Sequence, residues 1–272
     1  MNAAAARRAL VRYSRAMHSA GWVANHDGNL SARLDEERFV CTPTAFSKAD
    51  VTAEDLLVVD AAGQKQTGAH KPFSELVLHL AVFAARSDVN AVVHAHPPHA
   101  TAFGAAGQGI PHPFLPEAVV SLGAEVPLVP LTLPGKPAVT ALGPFIRRCD
   151  AVCIAGNGVL AWGPDLETAY LRLELVEHLA RLALAAVPLG GVKRLPDAMV
   201  LDLVARRAKA GLAAPEEGLP ARPHGVDAAG APSPATELAQ RVAHRALAGV
   251  PNADPELVAR LVREISARVG AG

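Results

Sequence analysis

Residues 90–103 read NAVVHAHPPHATAF, a short apolar run that ends in three histidines and two prolines before a segment of small residues. The run AVVHAH is typical of a buried strand. Pro97 and Pro98 end it, because proline has no backbone N–H to donate to a sheet, and HATAFGAA is predicted to begin a helix. Side chains two residues apart on a strand point the same way, so His94 and His96 are predicted to face one side at the end of a sheet.

Two imidazoles on one side of a strand end suit a divalent metal, with zinc as the first expectation. The pattern H-x-H is weak evidence by itself, since two histidines at a strand end can equally be hydrogen-bonded to the backbone. His99 falls in the first turn of the following helix, and we interpret it as a supporting residue rather than a ligand.

The composition indicates a globular chain that binds a small molecule. With 272 residues, 50% hydrophobic and 4% aromatic, it can bury one sizeable core built mainly from Ala, Val and Leu. Lys+Arg and Asp+Glu both number 26, so the charge gives no reason to expect a nucleic acid or an anionic membrane as partner. Three cysteines are too few and odd in number for a disulfide framework, which predicts a cytoplasmic protein. No apolar run is long enough to span a bilayer.

Outward from residues 90–103, strand and helix patterns are interleaved along the chain. The pattern predicts a helix ending near Gly21, two short strands within NLSARLDEERFVCTP, a helix from Ser74 to Arg86, a strand pair around Asn157 and Gly158, and a long helix after it. Ser74 is expected as the N-cap of its helix, with Glu75 in the first turn. Interleaved elements with hairpin-like pairs predict an α/β layer fold with a mixed sheet.

Two segments are expected beyond this pattern. Residues 1–195 are predicted to form the main domain and residues 196–272 a helical C-terminal extension, with a Pro- and Gly-rich linker at 213–234. Two short helices are predicted to open at Pro234 and Pro255, and to dock on the main body or on a neighbouring subunit because they cannot form a core alone.

Several motifs taken in order resemble the class II aldolase/adducin family: GNLSAR through TPT, KPFSE, VVHAHPPHATA and GNGVLAWG, over roughly residues 5–187. The resemblance implies a three-layer α/β/α fold around a central mixed, largely antiparallel sheet. It also implies a homotetramer with active sites at subunit boundaries. Each site would hold a divalent metal, most often zinc, that polarises substrate oxygens and stabilises an enediolate.

The resemblance also implies roles for individual residues. His94 and His96 match the family's two adjacent metal ligands, and Glu75 matches its acid/base residue. Residues in three loops match those that hold the substrate's phosphate or other anionic end: Asn29, Ser31, Thr42, Thr44 and Ser74. The alternative for Glu75 is an ordinary first-turn glutamate, and for the loop residues a purely local hydrogen bond to the backbone.

Three departures from the family pattern bear on the chemistry. Asn157 stands where the third metal-binding histidine is expected, which would weaken zinc binding or favour a harder metal such as Mn²⁺, unless water or His112 supplies a ligand. In the anion site, Ala45 replaces a glycine and Phe73 a serine. The family's proton-donating tyrosine has no counterpart, and Glu117 is the candidate for its role, with an ordinary first-turn glutamate as the alternative.

These residues favour a metal-dependent lyase that cleaves a carbon–carbon bond next to a carbonyl in a small sugar-phosphate or hydroxy-acid substrate. Aldol cleavage and decarboxylation are both open, and Phe73 is expected to stack on a planar substrate ring, which would favour decarboxylation of an aromatic acid. The alternative is a metal-free, adducin-like scaffold whose C-terminal helices bind a partner. Retention of Glu75, His94 and His96 favours the enzyme.

Overall fold

The computed structural model describes residues 2–217. Two compact units divide the chain, residues 1–183 with 194–219 and residues 184–193 with 220–272. The two predicted C-terminal helices, and the predicted linker from residue 218 onward, lie outside the described residues. Among the helices that are described, none has the length and hydrophobicity needed to cross a membrane.

One sheet of eight strands organises the first unit. Its strands in chain order are β1 (Asn29–Arg33), β2 (Arg38–Cys41), β3 (Leu57–Asp60), β4 (Lys65–Thr67), β5 (Ala91–Ala95), β6 (Leu128–Val129), β7 (Ala151–Ile154) and β8 (Gly158–Gly163). Their spatial order is β4-β3-β2-β1-β5-β8-β7-β6, and only the pair β6–β7 is parallel. The mixed, largely antiparallel sheet that we expected is therefore confirmed.

Helices cover both faces of the sheet. They are α1 (Ala3–Ser19), α2 (Leu76–Ala85), α3 (Pro98–Ala105), α4 (Pro116–Leu122), α5 (Lys136–Ile146), α6 (Leu166–Ala186) and α7 (Asp197–Lys209). Buried residues of α1, α3, α4 and α6 share one apolar cluster with the sheet, and those of α2 and α5 share another. The three-layer α/β/α architecture is confirmed.

The alternation of side chains along β5 decides which helix layer the histidines meet. All five residues of β5 are buried, as expected for a strand between β1 and β8 in the middle of the sheet. Ala91 and Val93 belong to the cluster under α1 and α6, whereas Val92 belongs to the cluster under α2. His94 lies two residues after Val92, so its imidazole faces the α2 layer.

The start of α2 differs from the sequence prediction by one residue. Glu75, not Ser74, occupies the N-cap position, and its side chain makes no capping hydrogen bond. The N–H of Leu76 donates to the carbonyl of Phe73 at 3.3 Å and the N–H of Leu78 to the carbonyl of Glu75 at 2.9 Å. Because backbone carbonyls satisfy these first N–H groups, the helix does not need a serine cap, and the Glu75 carboxylate is free for other contacts.

A buried carboxylate ties α7 to the sheet. Asp150, immediately before β7, is 0% exposed. It accepts from the guanidinium groups of Arg86 at 3.0 Å, Arg172 at 2.8 Å and Arg207 of α7 at 2.5 Å. Helix α7 belongs to the same compact unit as the sheet. The domain boundary at residue 195 stays a prediction.

Replacing Asp150 by asparagine should destabilise the protein by about 3 to 5 kcal/mol, because it removes a shared buried carboxylate and leaves Arg172 without its ion-pair partner, whereas Arg86 keeps Asp88 and Arg207 keeps Glu217. The free energy of unfolding in urea measures this. The matched control is Asp202→Asn, which removes an exposed partner of Arg206 and should cost about 1 kcal/mol or less. Equal small losses for the two variants would contradict the assigned role of Asp150.

Candidate active site

The structure brings Glu75, His94 and His96 together where β5 ends beside the start of α2. The Nε2 atom of His94 lies 3.4 Å from Oε1 of Glu75 and 3.1 Å from Nε2 of His96. The two imidazoles face the same side of the strand, as the spacing of the two residues predicted. The three side chains that the sequence singled out for chemistry thus form one cluster.

Each imidazole is held by its other nitrogen. Nδ1 of His94 lies 2.9 Å from the carbonyl oxygen of Val159 in β8, and Nδ1 of His96 lies 3.1 Å from a carboxylate oxygen of Asp27. A carbonyl oxygen and a carboxylate can only accept, so in the neutral rings both protons sit on Nδ1 and both Nε2 atoms present lone pairs. Two lone pairs 3.1 Å apart repel each other, and a bound cation would relieve that repulsion. This donor arrangement fits a divalent metal.

Glu75 is held as a carboxylate. Its Oε2 accepts from the amide of Asn29 at 2.9 Å and its Oε1 from the amide of Asn157 at 2.5 Å. Burial opposes ionisation, but in the metal-free protein the positive charge of His94, when its imidazole is protonated, and the two amide hydrogen bonds outweigh burial and lower the pKa of Glu75 to about 2. Glu75 therefore carries a negative charge at neutral pH.

Asn157 is placed by the tight turn between β7 and β8. Gly158, the next residue, has φ +78°, and a Cβ atom there would lie 2.3 Å from the carbonyl oxygen of Ala95. Only glycine tolerates both this conformation and this close approach. The turn brings the Asn157 side chain to the Glu75 carboxylate. The residue at the expected third-ligand position thus contacts the cluster.

The cluster offers fewer histidine and carboxylate ligands than a complete metal site built from such residues alone. Over residues 2–217, no group of three His, Cys, Asp or Glu side chains is arranged to hold a metal ion. Among these residues His112 makes no hydrogen bond or ion pair with Glu75, His94 or His96, and its Nε2 lies 2.8 Å from the carbonyl oxygen of Gly123. The available donors are the two imidazoles, the amide oxygen of Asn157 and the adjacent Glu75 carboxylate.

The segments 43–45 and 71–74, which are expected to bind an anion, lie side by side next to this cluster. An isolated β-bridge joins Pro43 to Pro72, and the N–H of Thr44 donates to the carbonyl of Lys71 at 3.0 Å. Thr44 and Ser74 are exposed, and Ser74 lines a cavity beside Glu75. Ala45 has φ +59°, a backbone conformation that favours glycine and that costs roughly 1 kcal/mol for other residues.

Four residues expected to contact substrate are buried in the domain, Asn29 at the Glu75 carboxylate and three others away from it. Ser31 is hydrogen-bonded to Nδ1 of His79 at 2.7 Å, and Thr42 accepts from the N–H of Leu30 at 3.2 Å. Phe73 is 7% exposed, with its ring edge-on to His79 at 5.0 Å. The expected stacking of Phe73 on a substrate ring is therefore not supported, since its ring packs in the core under α2.

Glu117 is not part of the cluster. It is exposed in the first turn of α4, which packs on the opposite face of the sheet from α2. Within the described residues it makes no hydrogen bond or ion pair with Glu75, His94 or His96. A carboxylate in the first turn interacts favourably with the helix dipole, and the acid/base role of Glu117 stays a prediction.

Sequence reasoning missed two carboxylates that orient the cluster. Asp27 holds Nδ1 of His96, as described above. Glu177 of α6 accepts from the N–H groups of His99 at 3.2 Å and Ala100 at 2.8 Å, and its carboxylate lies 2.6 Å from Nδ1 of His99. Glu177 thereby caps α3 directly after the histidine strand, and His99 has the supporting position that we expected. Neither contact has a local sequence signal, since each joins distant elements.

Comparison with known proteins gives a consistent result. The model of the Class II Aldolase and Adducin N-terminal domain matches residues 8–184. A 3-oxo-tetronate 4-phosphate decarboxylase of Haemophilus influenzae is 32% identical over 178 residues, which cover 64% of this chain and 84% of that protein. An L-fuculose phosphate aldolase of Methanococcus maripaludis is 31% identical, with 63% of this chain and 92% of that protein covered.

Solved structures agree with these relatives. YgbL of Klebsiella pneumoniae, described as an aldolase/epimerase/decarboxylase, superposes with a TM-score of 0.69 at 29% identity, over 75% of this chain and 99% of that one. An L-fuculose 1-phosphate aldolase gives a TM-score of 0.68 at 24% identity over 74% and 95% of the two chains, and supports the fold alone. Because these named relatives are enzymes, the adducin-like scaffold is not favoured. The chain belongs to the class II aldolase/adducin family and is an enzyme of the class II aldolase type.

Proposed function

We propose that this protein is a metal-dependent lyase that cleaves a carbon–carbon bond next to a carbonyl in a small oxygenated substrate. The observation that carries the proposal is the convergence of two imidazole lone pairs beside the ionised Glu75. Relatives named as aldolases and as decarboxylases support both forms of the reaction. A methylthioribulose-1-phosphate dehydratase, also among the relatives at 30% identity, fits the same requirement for proton removal beside a polarised oxygen.

His94 and His96 would hold the divalent metal, with the amide oxygen of Asn157 as a further donor. When bound, the metal would withdraw charge from a substrate carbonyl or hydroxyl oxygen, which can contribute several kcal/mol of the lowered barrier. We propose Zn²⁺, which imidazole ligands suit, although an amide oxygen in the third position makes Mn²⁺ a competitor.

Glu75 would move the proton. In aldol cleavage it takes the proton from the hydroxyl oxygen on one carbon of the bond that breaks, so that this carbon leaves as a new carbonyl group. The electron pair of the broken bond passes to the other, carbonyl-bearing fragment, which is then protonated. In decarboxylation the electron pair of the bond to the carboxylate stays with the carbonyl fragment as carbon dioxide leaves, and that fragment is then protonated. A substrate hydroxyl that displaces the amide of Asn157 removes one hydrogen bond from the carboxylate, and so raises the basicity of Glu75 when substrate binds.

The anionic end of the substrate would bind between the adjacent segments 43–45 and 71–74. Thr44 and Ser74 supply exposed hydroxyl groups there, and Asn29 joins this region to Glu75. Phe73 has no hydroxyl where the family has a serine, so this region offers one hydrogen bond fewer, and a carboxylate fits it as well as a phosphate. The predicted homotetramer belongs to the same proposal, and the chain would present one such site per subunit.

The metal and the acid/base role can be separated by two sets of variants. Elemental analysis should find about one divalent ion per chain, and His94→Ala with His96→Ala should lose it, because metal binding needs both imidazoles. Glu75→Gln should keep the ion but lower kcat by roughly 10² to 10⁴. Retro-aldol cleavage of L-fuculose 1-phosphate and carbon dioxide release from 3-oxo-tetronate 4-phosphate are the assays. A chain that holds no metal after reloading with zinc or manganese would rule the proposal out.

Asn157→His should strengthen zinc binding, because it adds a third neutral imidazole to the donor set. We expect on the order of a tenfold lower dissociation constant, measured by competition with a chromogenic chelator. Asn157→Gln serves as the control that keeps the amide. An unchanged affinity in Asn157→His would show that this position does not contribute a ligand.

The ionised state of Glu75 predicts how metal-free protein responds to acid. Its pKa is lowered from 4.5 to about 2 in the folded protein, so the carboxylate stabilises the fold above roughly pH 4.5, and that contribution is lost as the pH falls toward about 2. Urea unfolding in the presence of a chelator should therefore show a smaller loss of stability between pH 5 and pH 3 for Glu75→Gln than for the wild type. Parallel curves would contradict the assignment.

A further inference from the structure

A cavity of about 390 Å³ opens directly beside Glu75. It lies between α2 and α5, under the segment that joins β6 to α5 and against the turn between β7 and β8. Glu75 and Asn157 both line it, so it is continuous with the cluster described above. A substrate that reacts at Glu75 has this space next to its reacting carbon.

The walls of the cavity divide into a small polar end and an extensive hydrocarbon surface. Ser74, Glu75 and Asn157 form the polar end, and Thr132 adds one hydroxyl-bearing side chain elsewhere in the lining. Among the described residues that line the cavity, Glu75 is the one charged residue. The hydrocarbon surface is made by nine side chains: Val77, Leu78, Val129, Leu131, Pro134, Ala138, Leu142, Ile154 and Ala155. A polyhydroxylated chain placed there would leave most of its hydroxyl groups without partners, whereas a hydrocarbon group would gain by leaving water.

The size and the rim of the cavity match a ring or a branched chain. Roughly 150 Å³ of apolar cavity is enough to bind a benzene molecule, and this cavity is larger. Leu131 lines it and is 73% exposed, so part of its hydrocarbon surface remains uncovered at the rim. Gly156 lies beside Leu131 in the lining, and a Cβ atom there would be in van der Waals contact with the Cδ1 atom of Leu131 at 3.4 Å.

We propose that this cavity, bounded by α2, α5 and Leu131, is a substrate subsite for an apolar substituent, an aryl or branched alkyl group attached to the carbon that reacts at Glu75. The proposal rests on the proposed lyase function and narrows its substrate class. The substrate would be polar at the end that meets Glu75 and Ser74, and hydrocarbon at the end that enters the cavity. The cavity would recognise the apolar group of such a substrate by hydrophobic contact, with Glu75 as the charged side chain at its polar end.

The direct test measures the binding of benzyl alcohol to the full-length, zinc-loaded protein by ligand-observed NMR. Glycerol is the polar comparison. Ala138→Phe fills the cavity from the first turn of α5 and should raise the dissociation constant for benzyl alcohol at least about tenfold. Thr140→Leu, an exposed position on the same helix, is the control and should change nothing. Binding that is absent, or equally strong in Ala138→Phe, overturns the proposal.

A second pair of variants guards against misfolding of Ala138→Phe. Leu131→Ser removes hydrocarbon from the rim of the cavity and should weaken benzyl alcohol binding several-fold. Leu133→Ser is its matched control, because Leu133 is 77% exposed on the same segment and does not line the cavity. Equal effects of the two serine variants would also overturn the proposal. Thermal unfolding of every variant shows whether the fold is retained.

Turnover separates failure of the subsite from failure of the lyase function. In condensation with dihydroxyacetone phosphate, phenylacetaldehyde should give a higher kcat/KM than glycolaldehyde, and Ala138→Phe should reverse the order. If the chain binds benzyl alcohol in the cavity but condenses neither aldehyde, the subsite stands and the aldol form of the proposed function is wrong. If glycolaldehyde is preferred by the wild type, the subsite is wrong.

Discussion

The register of β5 between β1 and β8 is the constraint on which the rest of the site depends. Asn29 pairs with His94 across one side of β5, and Ala95 pairs with Val159 across the other. These pairings place the amide of Asn29, the imidazole of His94 and the turn that carries Asn157 at one end of the sheet. A slip by one residue would send His94 into the opposite layer, because alternate side chains face opposite sides of a strand. The backbone hydrogen bonds of the antiparallel strands therefore fix the positions of Asn29, His94 and Asn157 relative to one another.

The parts of the site that lie on regular elements could be predicted from the sequence. His94 and His96 follow from the two-residue period of a strand that ends at Pro97, and the mixed sheet follows from the hairpin-like patterns around it. Glu75 was expected one position inside its helix, and the structure moves the helix start by one residue because backbone carbonyls replace the expected serine cap. The error is small, since the helix pattern itself was correct.

The rest could not be predicted, because it depends on which side chains meet across the core. Ser31 and Phe73 look like loop residues ready for a substrate, but both turn toward His79, a buried imidazole whose pKa burial lowers to about 3. Asp27 contacts His96, which follows it in the chain only after the first four strands, and Glu177 of α6 contacts His99 of α3. The cavity beside Glu75 is likewise assembled from segments that no local pattern connects.

The junction at Asp150 limits how this sequence can diverge. One carboxylate serves three guanidinium groups, from residue 86 after α2, residue 172 in α6 and residue 207 in α7. The effects of substitutions at such contacting positions do not add, since each replacement changes what the remaining partners experience. An apolar core could replace the whole set, but the intermediate sequences would bury unmatched charge. These four positions are therefore expected to vary together or not at all, which links helices far apart in the chain into a single unit of evolutionary change.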